Sequence, residues 1–231
     1  MCMKKALFLA LLVAFVLAVT TFAAPYVIAR GLEMGLKRTL GADVAVRLAS
    51  YPTLRLLLGQ FDQVAIEAKN VTLGGLVVNE YALVAENVVL NMRDLLARRE
   101  VRFRSEAGLQ VRIAVGEGEL SKYLWERIPA LRGWRIQIHA GSATVLGQVP
   151  LLNAKLDLAV RGKFVAAGQE QIAFVPEAVE ISGFLIPPAI VEAALRDTHF
   201  VIDLAAAPLP LELIDVKMEP GQLIISARVL Q

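Results

Sequence analysis

The sequence contains few of the residues from which catalytic and metal sites are usually built. Its one cysteine, Cys2, excludes a disulfide-stabilised scaffold. Its two histidines, His139 and His199, lie far apart and form no HxH or HxxxH pair that would suit a metal. No GxSxG nucleophile elbow occurs either. We therefore predict no catalytic residues, no metal site and no cofactor, and we expect that the protein is not an enzyme.

The sequence also lacks a complete phosphate-binding loop. The nearest approach is Gly116-Glu117-Gly118, between a predicted strand and a predicted helix. A dinucleotide fingerprint needs a third glycine or alanine where this chain has Ser121, and a carboxylate near residues 136–139, where none occurs. The segment is predicted to be a turn that starts a helix.

Outside the first residues, the chain has no excess of positive or negative charge. The formal net charge is +2, and Lys4 and Lys5 account for all of it. The remainder is neutral, which argues against a nucleic-acid partner.

Hydrophobic residues, by contrast, make up 56% of the chain, and a surplus remains when residues 1–24 are set aside. Residues 1–24 place a short basic region before a long apolar run, as in a signal peptide or an N-terminal membrane anchor. Cleavage after Ala23 would make the protein secreted, whereas retention would anchor it to the cytoplasmic membrane. In both cases residues 25–231 are expected to form a single extracytoplasmic domain.

Within that domain, alternation of apolar and polar residues predicts antiparallel strands. The alternating runs are residues 44–48, 64–68, 81–85, 88–92, 109–115, 134–140, 156–160, 200–204 and 223–229. Pro220-Gly221 predicts a hairpin that joins residues 213–218 to 223–229.

Three segments show helical spacing, at residues 26–40, 119–128 and 188–196. Residues 54–58, 73–78 and 209–214 are instead predicted to be strands that are apolar on both faces. Such extra apolar surface can line a groove for lipid tails.

Several motifs resemble a known family. They are ISGFLIPPAIVEAAL from Ile181, VKMEPGQLIISARV from Val216, and the helix GELSKYLWERI followed by WRIQI. Together they resemble the LmeA-like family of bacterial envelope phospholipid-binding proteins, within the tubular lipid-binding (TULIP) superfamily. The resemblance implies an α+β fold in which a highly curved antiparallel sheet wraps around a long N-terminal helix as a half-barrel, with two shorter helices.

The expected function is that of an extracytoplasmic phospholipid-binding protein, which holds acyl chains in an apolar groove or tunnel for lipid handling or envelope maintenance. Candidates for lining the tails are Leu32, Leu36, Val64 and Ile66, with a further position in the strand that contains Val111 left unassigned. Candidates for contact with headgroups or the membrane surface are Arg98, Arg99, Arg102 and Arg104, because guanidinium groups match phosphate geometry. A solvated loop is the alternative for these arginines.

A second function stays open at this stage. A structural envelope protein could use the apolar sheet to dock a protein partner in an assembly complex, without bound lipid. The expected partners are thus a phospholipid or other acyl lipid, the membrane and, in this second case, an envelope protein.

Overall fold

The computed structural model of the chain describes residues 30, 33, 43–49, 60–90, 103–105, 108–151, 154–186, 200–207 and 209–230. Most of these residues form β-strands. The strands are β1 (Asp43–Ala49), β2 (Gln60–Leu73), β3 (Leu76–Leu90), β4 (Phe103–Ser105), β5 (Leu109–Gly116), β6 (Arg135–His139), β7 (Ser142–Leu151), β8 (Ala154–Ala166), β9 (Gln171–Ile181), β10 (Phe184–Ile186), β11 (Val201–Asp203), β12 (Leu211–Glu219) and β13 (Gln222–Val229). Helix α1 (Glu117–Arg127) and a 3-10 turn (Pro129–Leu131) lie between β5 and β6.

The strands form two antiparallel sheets. One sheet has the hydrogen-bonded order β1-β2-β3-β5-β13-β12, with β4 paired to β3. The other has the order β10-β9-β8-β7-β6, with β11 paired to β9. Most neighbours in these orders are consecutive along the chain, so short hairpins make most of the pairings.

The chain divides into two compact units. The first contains residues 1–68 and 82–109, and the second contains residues 69–81 and 110–231. In the first unit, Val46, Phe61, Leu83 and Val88 are among the buried apolar side chains. The prediction that residues 25–231 form a single domain stays a prediction.

The expected half-barrel around a long N-terminal helix is wrong. The described residues contain one helix of seven or more residues, α1, and it lies in the middle of the chain, next to two separate sheets. Of the helix predicted over residues 26–40, only Arg30 and Glu33 are described, and both are helical. Glu33 accepts a hydrogen bond from the amide of Val46 at 3.1 Å. Because β1 is an edge strand whose amides need acceptors, this contact places Glu33 at a strand edge.

Several local predictions are confirmed. The helix predicted over residues 119–128 is α1, and Gly116 is its N-cap residue. The hairpin predicted at Pro220-Gly221 joins β12 to β13 in antiparallel register. Apart from residues 73–78, every predicted strand within the residues that the structure describes overlaps an observed strand. The helix predicted over residues 188–196 and the strand predicted over residues 54–58 lie outside the described residues.

The continuous strand predicted over residues 73–78 is wrong. Gly74 and Gly75 form the turn between β2 and β3, with φ angles of 56° and 91°. Both angles lie in the left-handed region that glycine adopts without steric cost, so two adjacent glycines favoured a turn over a strand.

Alternation alone did not reveal the long strands β7 and β9 or the three-residue strands β4 and β10. Strand β9 contains Pro176, which pairs with Gly162 next to a β-bulge in β9, where Glu177 is the extra residue. Strand β10 pairs with residues 179–181 of β9, and β11 pairs with residues 171–173. Pro176 falls between these two partners, so its missing N–H costs no bond to either of them.

Aromatic packing joins helix α1 to the second sheet. The rings of Tyr123 and Phe200 pack edge to face at 6.1 Å between centroids. Phe164 lies 6.1 Å from Phe200 and 5.2 Å from Phe174. Tyr123, Phe164 and Phe200 are buried, and edge contacts of this kind stabilise a core by about 0.5–1.5 kcal/mol per pair.

The outer edge of β6 is covered by side chains of α1. The Ser121 hydroxyl accepts a hydrogen bond from the amide of Ile136 at 2.9 Å and donates one to the Glu117 carbonyl at 2.7 Å. The Glu117 carboxylate accepts the amide of Ile138 at 2.5 Å. The edge amides of β6 therefore have acceptors inside the protein, and α1 is fixed along that edge.

The Ser121→Ala substitution should lower the free energy of unfolding by about 1–3 kcal/mol, because it leaves the buried amide of Ile136 without an acceptor. Urea unfolding followed by circular dichroism measures this change. Lys122→Ala, at an exposed neighbouring position, is the matched control and should change stability by less than about 0.5 kcal/mol. A Ser121→Ala protein as stable as this control would show that the contact contributes nothing.

Because the side chain of Tyr81 is buried, we expect the protein to lose stability at alkaline pH. Burial raises the pKa of Tyr81 from 10.0 to about 12, and its hydroxyl has no hydrogen-bond partner in the described structure. Between these two values the unfolded chain has released the proton and the folded chain has kept it. Unfolding is therefore favoured by about 1.4 kcal/mol for each pH unit above 10.

Tyr81→Phe should remove this contribution, so the variant should lose less stability than the parent protein between pH 10 and 11. Urea unfolding of both proteins at pH 8, 10 and 11 provides the comparison, because the other titrating groups are common to both. Equal losses in the two proteins would contradict the assignment to Tyr81.

Candidate functional site

One face of the second sheet is the buried core face. Directly opposite residues of paired strands share a face, and the register aligns Ile136, Val145, Val160 and Val179 in one row. All of these are buried except Val160, which is half-buried. This row contributes to the core beside α1.

The same face stays apolar as it leaves the core. The next row aligns Gly147, Leu158, Ile181 and Phe184 across β7, β8, β9 and β10. Leu158 and Ile181 are half-buried, whereas Phe184 is 77% exposed. One row further, Val149 is also exposed and pairs with Leu156. The sheet therefore extends past its core with apolar side chains that the described residues leave in solvent.

A tight turn between β9 and β10 lies at the end of this apolar surface. Ser182 and Gly183 have φ angles of 48° and 85°, which is the pattern of a type I′ hairpin turn. The amide of Ser182 also donates to the Asp157 carbonyl at 2.8 Å, which ties the turn to β8. Phe184 and Leu185 follow the turn and point to opposite faces of β10, and Leu185 is 66% exposed. We call the set of Val149, Leu158, Ile181, Phe184 and Leu185 the hairpin end.

Trp134 lies against the backbone at this end of the sheet. Its ring covers Gly147 so closely that a Cβ atom at Gly147 would overlap it. Its carbonyl accepts a hydrogen bond from the Trp125 indole at 2.5 Å, which links it to α1. Glycine at position 147 is thus required for the close approach of the indole ring.

A cavity of about 610 Å³ lies beside the hairpin end, and residues of the opposite face of the same sheet make up most of its lining. Its lining residues are Arg132, Gly133, Trp134, Arg135, Leu146, Gly147, Gln148, Asp157, Leu158, Ala159, Glu180 and Gly183. The register aligns Arg135, Leu146, Ala159, Glu180 and Leu185 in one row, so the cavity borders an exposed apolar residue. Volumes of about 300–1,000 Å³ are usual for small-molecule sites.

Charges of both signs line this cavity. Arg132, Arg135 and Glu180 are exposed and form no ion pair within the described part of the chain. The Asp157 carboxylate accepts a hydrogen bond from the Gln148 amide at 2.8 Å. Two cations and two anions leave the cavity neutral, yet strongly polar.

A second cavity of about 560 Å³ continues along this face toward His139. It shares Ala159 and Glu180 with the first cavity and also includes Arg161. His139 is exposed at the end of β6. The described residues contain no group of three or more His, Cys, Asp or Glu that could hold a metal ion. His199 lies outside them.

The structure brings together two of the residues that the sequence suggested for the acyl tails. Val64 and Ile66 lie on one face of β2 with Ala68, and both are half-buried. Val111, which marked the unassigned tail position, lies in β5 and is buried. Leu32 and Leu36 lie outside the described residues.

The arginines suggested for the headgroup are described only in part. Arg104 lies in β4, where its backbone pairs with Val89 of β3. Arg98, Arg99 and Arg102 lie outside the described residues.

Sequence reasoning missed the hairpin end itself. The signal was present in Ser182-Gly183, because this dipeptide marks a turn, and in the apolar residues that follow it. Their exposure depends on how far β10 extends past the core, which local sequence does not reveal.

No helix in the described residues is both long and apolar enough to cross a membrane, and residues 1–24 lie outside this description.

The arrangement as a whole is complementary to an amphiphile. An exposed apolar surface suits a hydrocarbon chain, and a polar cavity at the same end of the sheet suits a charged group. Comparison with known proteins agrees with this chemistry: a family model described as LmeA-like phospholipid-binding matches residues 18–228, nearly the whole chain. A search of curated proteins and a search of solved structures each found no match.

Gly147→Ala should displace Trp134 and expose its indole to water, because the added methyl group occupies the space of the ring. A red shift in fluorescence emission reports the displacement, measured in a Trp125→Phe background so that a single tryptophan emits. The overlap should also lower the free energy of unfolding by about 1–3 kcal/mol. Gly118→Ala, whose methyl group would meet open space, is the control and should leave the emission unchanged. Unchanged emission in Gly147→Ala would contradict the packing.

Proposed function

This chain belongs to the LmeA-like phospholipid-binding family, and we propose that it holds the acyl chains of a phospholipid against the hairpin end, outside the cytoplasm. Membership makes it a lipid-binding protein. The acyl-chain contact, the compartment and a role in lipid handling or envelope maintenance are the further content of the proposal.

The observation that carries the acyl-chain contact is the exposure of Phe184 and Leu185. Both residues follow the type I′ turn, and neither side chain is needed to fill the core, since most of its surface faces solvent. Covering such a side chain with hydrocarbon is favourable by about 1.5–3 kcal/mol. A lipid chain laid along the apolar rows would replace water there.

The remaining parts of the proposal come from sequence. Leu32, Leu36, Val64 and Ile66 are proposed to contact tails, and Arg98, Arg99, Arg102 and Arg104 are proposed to meet anionic headgroups at a membrane surface. Residues 1–24 are proposed to direct the chain across the cytoplasmic membrane, as an anchor or a cleaved signal.

One observation favours a second candidate, the docking of a protein partner. Strand β10 ends the hydrogen-bonded order of its sheet, so its outer edge could pair with a strand of another chain. In that case the exposed residues would be buried by protein, and no lipid would be bound.

Purified full-length chain extracted in mild detergent should therefore carry phospholipid that mass spectrometry detects. The double variant Phe184→Ser, Leu185→Ser should bind an acyl-labelled fluorescent phospholipid at least about tenfold more weakly, because about 1.4 kcal/mol of apolar contact is a factor of ten and both side chains contribute.

The matched control is Val165→Ser, Val175→Ser, which removes two exposed apolar residues elsewhere on the same sheet. This control should bind the probe as the parent protein does. Absence of phospholipid from the parent protein, together with no binding of the probe, would contradict the proposal and favour the docking of a partner. An equal loss of probe affinity in the two double variants would show that the hairpin end is not the site that contacts the acyl chains.

A further inference from the structure

We infer that the cavity of about 610 Å³ beside the hairpin end binds the headgroup of a zwitterionic phospholipid, one that carries both a phosphate and an ammonium group. This inference rests on the proposed function and names the class of lipid. The phosphate lies against Arg132 and Arg135, and the ammonium group lies against Asp157 and Glu180.

The separation of charge within the cavity supports this assignment. Arg135 and Glu180 occupy one row of the sheet, with Leu146 and Ala159 between them. Three strand-to-strand steps of about 4.8 Å place their Cα atoms about 14 Å apart. They form no ion pair with each other, so each can face a ligand placed between them. The small side chain of Ala159 leaves room at the centre of the row.

The balance of charge distinguishes between classes of headgroup. A site for an anionic lipid would show an excess of basic groups, because an uncompensated phosphate needs a net positive surrounding. Here two guanidinium groups face two carboxylates, and a ligand with one charge of each sign satisfies both pairs. Asp157 is already oriented by its hydrogen bond from Gln148.

The location of the cavity ties the headgroup to a lipid. Glu180 and Leu185 are direct cross-strand partners, so the acidic end of the cavity adjoins an exposed leucine of the hairpin end. A headgroup in the cavity would place its glycerol and chains next to Leu185 and, around the short strand β10, next to Phe184. A free zwitterion would gain only the polar half of these contacts.

The test titrates the full-length chain in neutral detergent with soluble dihexanoyl phosphatidylethanolamine or dihexanoyl phosphatidylglycerol. Trp134 lines the cavity, and its fluorescence, with Trp125→Phe in every protein compared, reports binding at this site. We expect phosphatidylethanolamine to bind at least about tenfold more tightly. Phosphoethanolamine, which has no acyl chains, should bind at least about tenfold more weakly than the lipid.

Two variants assign the charges. Glu180→Gln should abolish the preference for phosphatidylethanolamine, because it removes the partner of the ammonium group. Arg135→Gln should weaken the binding of both lipids to a similar extent, since both carry a phosphate. Glu177→Gln is the matched control on the same strand, because its carboxylate pairs with Lys163 at 2.7 Å and does not line the cavity.

The outcomes separate this inference from the proposed function. Binding of both lipids with equal affinity, a preference for phosphatidylglycerol, or an unchanged preference in Glu180→Gln would overturn the zwitterionic site while leaving lipid binding intact. Binding of phosphoethanolamine as tight as that of the lipid would show a site for a free zwitterion instead. Failure of every phospholipid to bind, in this titration and with the acyl-labelled probe, would overturn the proposed function as well.

Discussion

Helix α1 supplies the acceptors that the edge of β6 requires, and the arrangement of the second unit depends on this contact. Ser121 and Glu117 take the outward amides of Ile136 and Ile138, which would otherwise be buried without partners. The β12–β13 turn meets the same strand, where the Gly221 amide donates to the Ile138 carbonyl at 3.0 Å. Within this unit, the two sheets therefore meet at β6. An edge strand that is closed by a helix and a turn is also protected from pairing with other chains.

Once the orientation of β6 is fixed, the pairing register determines which residues of the other strands lie on each face of the sheet. Each hairpin transfers the alternation of one strand to the next, so an inward residue of β6 determines an inward row as far as β10. The rows that lie against α1 become core, and the rows beyond it stay apolar without cover. The apolar row that ends at Phe184 and the row that contains Arg135 and Glu180 lie on the two faces of that extension, which is why apolar and charged groups lie so close together there.

Particular elements show how much of this could be predicted from sequence. Helix α1 and the β12–β13 hairpin were predicted because their signals are local, namely helical spacing and Pro220-Gly221. Residues 73–78 were wrongly predicted to be one strand, because the prediction followed their apolar content rather than the two glycines that turn the chain. The half-barrel around a long helix was wrong because a resemblance in motifs does not determine which strands pair. Of the candidate site, Val64 and Ile66 were placed on one strand face, whereas the hairpin end was missed.

The sequence by itself determined the basic and apolar pattern of residues 1–24, from which export is predicted, the alternation typical of strands, the absence of metal-binding motifs and membership of a phospholipid-binding family. These properties depend on residue types and on spacing over short stretches. Only the tertiary structure decided that Phe184 and Leu185 stand in solvent and that Arg135 and Glu180 face one cavity. The physical reason is that exposure and charge pairing in a sheet depend on register between strands far apart in sequence. Alternation along a strand shows which of its residues share a face, but not which residues of neighbouring strands lie beside them on that face.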